Sequence, residues 1–167
     1  PINLPGSEIL PALQTGAIDA TEWVAPYNDL AFGFHKVAKF YYAPGVHEPG
    51  PGLGLTINAE AFDQLPSDLQ AIVQRAAGDE AFRMLCEMTN GNAEALGVLL
   101  NKYNVQLRRF PQTVYDAMLS AGEDVARETA AKDPFTAKVY ESWFEFRKKV
   151  VALAPLTELG YMALRDA

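Results

Sequence analysis

The sequence predicts an α/β fold built from few strands and long amphipathic helices, and three observations carry that prediction. The first sixty residues are dense in glycine, proline and aromatic side chains and hold short strand-like runs. From residue 60 onward, apolar residues recur mostly at helical spacing. About four strand candidates are on offer, and each reads as though it expects neighbours, since strands shared between two sheets are not stable alone.

In chain order, Ser7 can cap a helix over "EILPALQT", and Gly16 sits where a helix end favours a left-handed residue. Pro11 lies inside that stretch, so the helix is expected to be short or to start late. "AIDATEWV" reads as a strand with Ile18, Ala20, Glu22 and Val24 on one face and Asp19, Thr21 and Trp23 on the other. In "NDLAFGF", Asn28 or Asp29 offers a cap for one or two helical turns. "AKFYYAPG" and "GLGLTINA" are further strands, separated by a Gly/Pro turn segment, "VHEPGPG". Asn58 can cap a short helix over "AEAFDQL", and Pro66 suits the first position of a much longer one. In the long helix Leu69, Ile72, Val73 and Ala76 recur at helical spacing, as do Phe82, Leu85, Thr89, Ala93, Leu96 and Leu100. Gly78 and Gly91 are points where this rod is expected to bend or break. "NVQLRRFP" reads as a strand, helices follow over roughly 112–131 and 134–153, and "LTELGYMALR" closes the chain as a last amphipathic piece. The expected organisation is one incomplete domain over 1–167, with a strand-rich segment at 1–60 and a mainly helical one at 61–167 that includes a strand near 105–110.

Composition narrows the function. Hydrophobic residues are 49% and charged residues 21% of the 167, enough apolar mass for a core. The net charge of −7 makes nucleic acid and anionic membrane surfaces poor partners. It also means that an anionic ligand must find local positive charge, from an arginine or a bound cation. Cys86 is the only cysteine, which rules out an intrachain disulfide; its place in a helical pattern suits a small buried hydrophobe. His35 and His47 are too few and too scattered for a histidine metal site: His47 reads as a turn residue, and His35 as packing or capping at a helix end. No apolar run is long enough to span a membrane. The opening "PINLPGSEIL", with neither Met nor signal peptide, reads as the middle of a longer chain whose N-terminal portion is missing.

Enzyme signatures are lacking: there is no Gly-x-Ser-x-Gly, no phosphate-cradling loop before a helix and no His-Glu-x-x-His. Glu22 and Glu48 could serve as acid and base, but nothing in the sequence brings them together. Binding is the better reading. Hard cations such as Na⁺ and Ca²⁺ want several oxygen ligands, carboxylates and main-chain carbonyls among them. Glu22 offers a carboxylate and Trp23 the adjacent carbonyl, leaving the indole to wall a pocket. Glu48, on a turn before Pro49-Gly50, is a second candidate carboxylate for metal or ligand. Tyr27 and Asn28 can donate hydrogen bonds to a carboxylate ligand, or can simply make the turn. Against these stand the ordinary alternatives, a solvated glutamate and a core tryptophan. Arg108-Arg109 reads as a solvated strand edge.

The stretch "PGSEILPALQTGAIDATEWVAPYNDLAFGFHKVAKFYYAPGVHEPG" resembles the C-terminal half of the solute-binding proteins of TRAP transporters (tripartite ATP-independent periplasmic transporters, DctP type), in the branch that binds 2-oxo acids and related monocarboxylates with a metal ion. The run Glu8 to Trp23 and the segment Pro44 to Gly50 carry the resemblance most specifically; "LPSDLQAIVQRAA" fits a helix start common to the family. It covers essentially all 167 residues, strongest over the first fifty and loose beyond 110.

The resemblance implies the C-terminal portion of a two-lobed, type II-like periplasmic fold that closes on a small carboxylate and makes no bond. It implies a periplasmic receptor that hands a 2-oxo or 2-hydroxy monocarboxylate to membrane permease subunits. It further implies Na⁺ or Ca²⁺ held by Glu22 and the Trp23 carbonyl, with the Trp23 ring lining the substrate and Glu48 as another cleft acid. The family's carboxylate-binding arginine and a glutamine near the metal come from the earlier half, which this chain lacks. Val46 stands where tryptophan is frequent. The alternative reading is a helical module that dimerises or docks a partner without any ligand; helices of this kind also dimerise in some relatives.

Overall fold

A computed structural model describes residues 1–46, 50 and 52–165. The chain forms two compact units, 1–110 and 111–167, each considered by itself. Long helices dominate and strands are few, as expected of this fold class.

In the first unit, helix α1 (Gly6–Thr15) ends on Gly16, whose φ of 72° is the left-handed geometry that glycine adopts at no steric cost. Contrary to expectation, Pro11 neither shortens nor delays α1, and Ser7 does not cap it; Pro5 occupies the cap position without a side-chain bond. The missing Pro11 amide deprives only Ser7, an exposed first-turn residue whose carbonyl water can serve. Residues 17–24 correct a second expectation: they form no strand. No described strand lies beside them to take ladder bonds, and their polar groups bond locally. Ala17 N donates to Ala12 O at 2.9 Å, and the Thr21 hydroxyl donates to Glu22 O at 3.0 Å. The strand expected within 52–59 is likewise irregular, with Leu53 and Leu55 exposed.

Helix α2 (Pro26–Phe32) starts with proline at its first position and stops at Gly33, φ 81°. A single 3₁₀ turn, Phe34–Lys36, leads to strand β1 (Phe40–Tyr42). Asn58 caps α3 (Ala59–Asp63) as expected, accepting from Ala61 N at 3.0 Å. Pro66 stands one residue earlier than expected, at the cap of α4 (Ser67–Asn101). This 35-residue helix runs unbroken through both Gly78 and Gly91. Gly91 is a seat rather than a hinge: a Cβ there would lie 3.0 Å from Cγ of Tyr27. After α4, Asn104 takes φ 54°, a left-handed conformation in which asparagine is enriched, and the chain enters strand β2 (Gln106–Arg108). β2 pairs in parallel with β1, with Phe40 opposite Gln106, Tyr41 opposite Leu107 and Tyr42 opposite Arg108.

The core of this unit lies where α2 packs on the last third of α4, with Ala95 and Leu99 each 3% exposed, close to Phe34, Ile9 and Val105 in burial. Upstream on α4 the same periodic apolar residues are bare: Phe82 is 71% and Leu85 65% exposed. Cys86 shares that stretch and is exposed, which corrects the expectation of a buried thiol; no described element covers this part of the helix.

In the second unit, α5 (Gln112–Ala130) packs against α6 (Pro134–Leu153), whose start Asp133 caps by accepting from Thr136 N at 2.9 Å. Tyr140 stacks on Phe144 at 5.6 Å, while Phe135, Val139, Trp143 and Phe146 form an exposed apolar ridge along α6. A 3₁₀ turn, Ala154–Leu156, receives α7 (Glu158–Arg165) so closely that a Cβ on Gly160 would meet the Pro155 carbonyl oxygen.

Candidate functional site

Glu22, Trp23, Tyr27 and Asn28 all fall on the link between α1 and α2 or on the first turn of α2. Glu48 and His47 lie outside the described residues.

Glu22 is exposed. Trp23 is half-buried in an aromatic cluster: its ring centroid lies 4.8 Å from that of Phe32 and 6.4 Å from that of Phe34. Its far edge covers Gly6 so tightly that a Cβ there would sit 2.8 Å from the indole. One side of the ring is therefore committed to packing, while its buried Nε1 finds no hydrogen-bond partner among the described residues. The buried Oδ1 of Asn28 is open in the same way. Native proteins pair nearly all such atoms, so each calls for a group the described residues do not supply. Tyr27 uses its ring against Gly91, and its amide donates to Asn92 Oδ1 of α4 at 3.0 Å.

Beneath these residues lies a buried acid that sequence reasoning treated only as a helix cap. Asp29 is 9% exposed. Its Oδ2 accepts from the Tyr41 hydroxyl of β1 at 2.5 Å, and its Oδ1 accepts from the Val24 amide at 3.4 Å. Burial raises the Asp29 pKa above the ordinary carboxylate value, against the lowering pull of the Tyr41 hydroxyl and the Val24 and Ala25 amides. Burial, and then the Asp29 carboxylate, raises the Tyr41 phenol well above its ordinary value. His35 stacks on Tyr103 with centroids 4.0 Å apart, the packing role expected at a helix end. Its pKa is lowered by burial and then by Lys36 and Lys102. Arg108 extends its guanidinium over the Phe40 ring, 4.1 Å from the centroid.

The donor chemistry of Glu22 and the Trp23 carbonyl suits a hard cation, being all oxygen with one charge. Among the described residues no group of three or more His, Cys, Asp or Glu gathers as a metal cluster. Two oxygens are short of the six to eight that calcium takes. A hard cation held there would need further oxygens from outside these two groups.

A family model described as bacterial extracellular solute-binding protein, family 7 (DctP), matches residues 1–133. The chain belongs to the DctP family. Within it, the chain is 41% identical over 158 residues to a protein of Nostoc sp. named as a monocarboxylate 2-oxoacid-binding periplasmic protein, covering 95% of this chain and 43% of that one. Among solved structures it is similar to a TRAP transporter solute-binding protein from Bordetella bronchiseptica, with a TM-score of 0.89 and 31% identity over 99% of this chain and 49% of that one. That protein is described as a mixed-occupancy dimer, one active site holding copurified calcium and picolinate and the other apo. A TRAP periplasmic solute-binding protein from Chromohalobacter salexigens shares the fold, with a TM-score of 0.71 and 22% identity over 89% of this chain and 46% of that one. This DctP chain thus spans under half the length of the relatives it matches.

Proposed function

We propose that this chain supplies one side of the ligand site of a periplasmic TRAP-type receptor for a small 2-oxo or 2-hydroxy monocarboxylate, bound together with Na⁺ or Ca²⁺. The observation that carries this reading is the placement of exposed Glu22 beside the Trp23 carbonyl on an irregular link that α2 and α4 hold down, in a chain 41% identical to a 2-oxoacid binder. Glu22 and the Trp23 carbonyl would hold the cation, with Glu48 as a further acid. When bound, the cation supplies the positive charge that joins a ligand carboxylate to an acidic protein. The half-buried ring of Trp23 would wall the pocket, and Tyr27 and Asn28 would orient the ligand's oxygens. The open Trp23 Nε1, a donor without a partner among the described residues, supports a ligand oxygen at the indole. Function is reversible binding with lobe closure, followed by delivery to the membrane permease subunits. The other half of the receptor would contribute the remaining ligands as part of one solute-binding domain. The apolar ridge of α6 suits a second copy of the protein.

The test is titration calorimetry of the full-length protein with pyruvate-like acids, with and without a chelator. Glu22→Gln is expected to weaken binding about 10- to 100-fold, the cost of disturbing a metal's oxygen set, and chelation to abolish it. Absence of heat with every short carboxylate refutes the reading.

A further inference from the structure

We propose that Asp29 is a positioning residue that aims the Trp23 carbonyl oxygen, and that Tyr41 locks Asp29 in place to do so. The inference rests on the site proposed above and assigns it a supporting layer. A trans peptide is planar, and its C=O and N–H point in opposite directions. The Val24 amide belongs to the same peptide plane as the Trp23 carbonyl. Because that amide donates to Asp29 Oδ1, the Trp23 oxygen is turned away from Asp29 and away from the buried side of α2. At 3.4 Å this bond is long, so its power to orient depends on how firmly the carboxylate is held. The 2.5 Å bond from the Tyr41 hydroxyl supplies that firmness, and Tyr41 is itself fixed in β1 opposite Leu107 of β2. A second tie acts three residues on. The residue four before Tyr27 is Trp23, so the Tyr27 amide is the donor that a helix extended backwards would turn toward the Trp23 oxygen. Asn92 Oδ1 takes that donor instead, at 3.0 Å. The link is thus gripped on both sides of one carbonyl, and no described residue donates to that oxygen.

Burying a carboxylate is costly, and a plain helix start needs none, since serine or asparagine would cap it. A buried acid that spends one oxygen on the amide next to the proposed ligand oxygen has a use that stability alone does not explain. Backbone ligands are aimed by what their own peptide bonds touch, just as side-chain ligands are aimed by the groups behind them.

The test uses full-length protein, Asp29→Asn, Asp29→Leu and Tyr41→Phe, with thermal melts to establish that each is folded. Asn keeps an acceptor for Val24 and loses the charge; Leu loses both. Terbium(III), a hard oxygen-seeking ion, is the metal probe, with affinity from calorimetry and bound waters from luminescence lifetimes in H₂O and D₂O. Asp29→Leu is expected to bind the ion about 10- to 100-fold more weakly and to carry about one extra water. Asp29→Asn should restore most of the affinity and the original hydration, and Tyr41→Phe should fall between. In metal-free protein, the ¹³C′ shift of Trp23 and the ¹⁵N shift of Val24 should move in Asp29→Leu and not in Asp29→Asn. An unchanged hydration number in Asp29→Leu, or Asn behaving as badly as Leu, overturns the positioning role while leaving the receptor reading intact. If Asp29→Leu does not fold, Tyr41→Phe with unaltered affinity and unaltered Trp23 and Val24 shifts overturns it. If the unsubstituted protein binds no ion at all, the metal site and this inference fall together.

Discussion

The two ends of α4 carry the same kind of apolar periodicity and meet opposite fates. Near its C-terminus Ala95 and Leu99 are shut away under α2, and Asn92 reaches up to the Tyr27 amide. About three to five turns earlier, Phe82 and Leu85 stand in the open. Periodicity therefore says that a helix has a face to bury but not what will bury it. The packed end is where the candidate site is built; the bare end is an apolar face that no described element covers.

The contrast can be broken most strongly at its packed end. Leu99→Ala should cost about 2–5 kcal/mol in urea unfolding, because the void it leaves cannot collapse between two helices. A loss under about 1 kcal/mol would mean that this end is no more packed than the other. A smaller effect should come from pH. The fold raises the Tyr41 pKa, so the native chain keeps a proton that the unfolded chain releases above about pH 10. The pair's contribution is fully present below that pH and is lost as pH rises beyond it. Thermal melts of the unsubstituted chain should therefore fall more steeply above pH 10 than those of Tyr41→Phe; identical slopes would remove Tyr41 from the packed end's stability. The smallest change should come from the bare end. Phe82→Ala should shift the unfolding free energy of this 167-residue chain by less than about 0.5 kcal/mol, against about 3 kcal/mol in full-length protein if the other half covers it.

What could be read from sequence was what is local. Asn58 and Asp133 announce their caps within three residues, and Gly16 announces a helix end through its own φ. Parallel pairing of β1 with β2 spans more than sixty residues, yet both strands were legible because aromatic and alternating runs mark them. The irregularity of 17–24 was not, since alternation is a local signal and pairing needs a neighbouring strand that the described residues do not place there. In the site, Glu22 and Trp23 stood out as a carboxylate beside a carbonyl. The grip beneath them did not, because it joins residues 12 and 65 positions apart. Asp29 gave one usable signal, an acid set among Leu30, Ala31 and Phe32, where a charge is expensive without a dedicated partner. Gly91 gave none: a glycine that weakens a helix and one that seats an aromatic ring look alike until the ring is found.

Strands β1 and β2 bond to one another through three residue pairs and, among the described residues, to no third strand. Parallel ribbons ordinarily lie inside a sheet with both faces covered, whereas here Phe40 and Leu107 are about half exposed. Each outer margin offers a row of amides and carbonyls to any extended chain that drifts by. Prepared by itself, this polypeptide should clump first along that ribbon, and capping either margin should be what keeps it in solution.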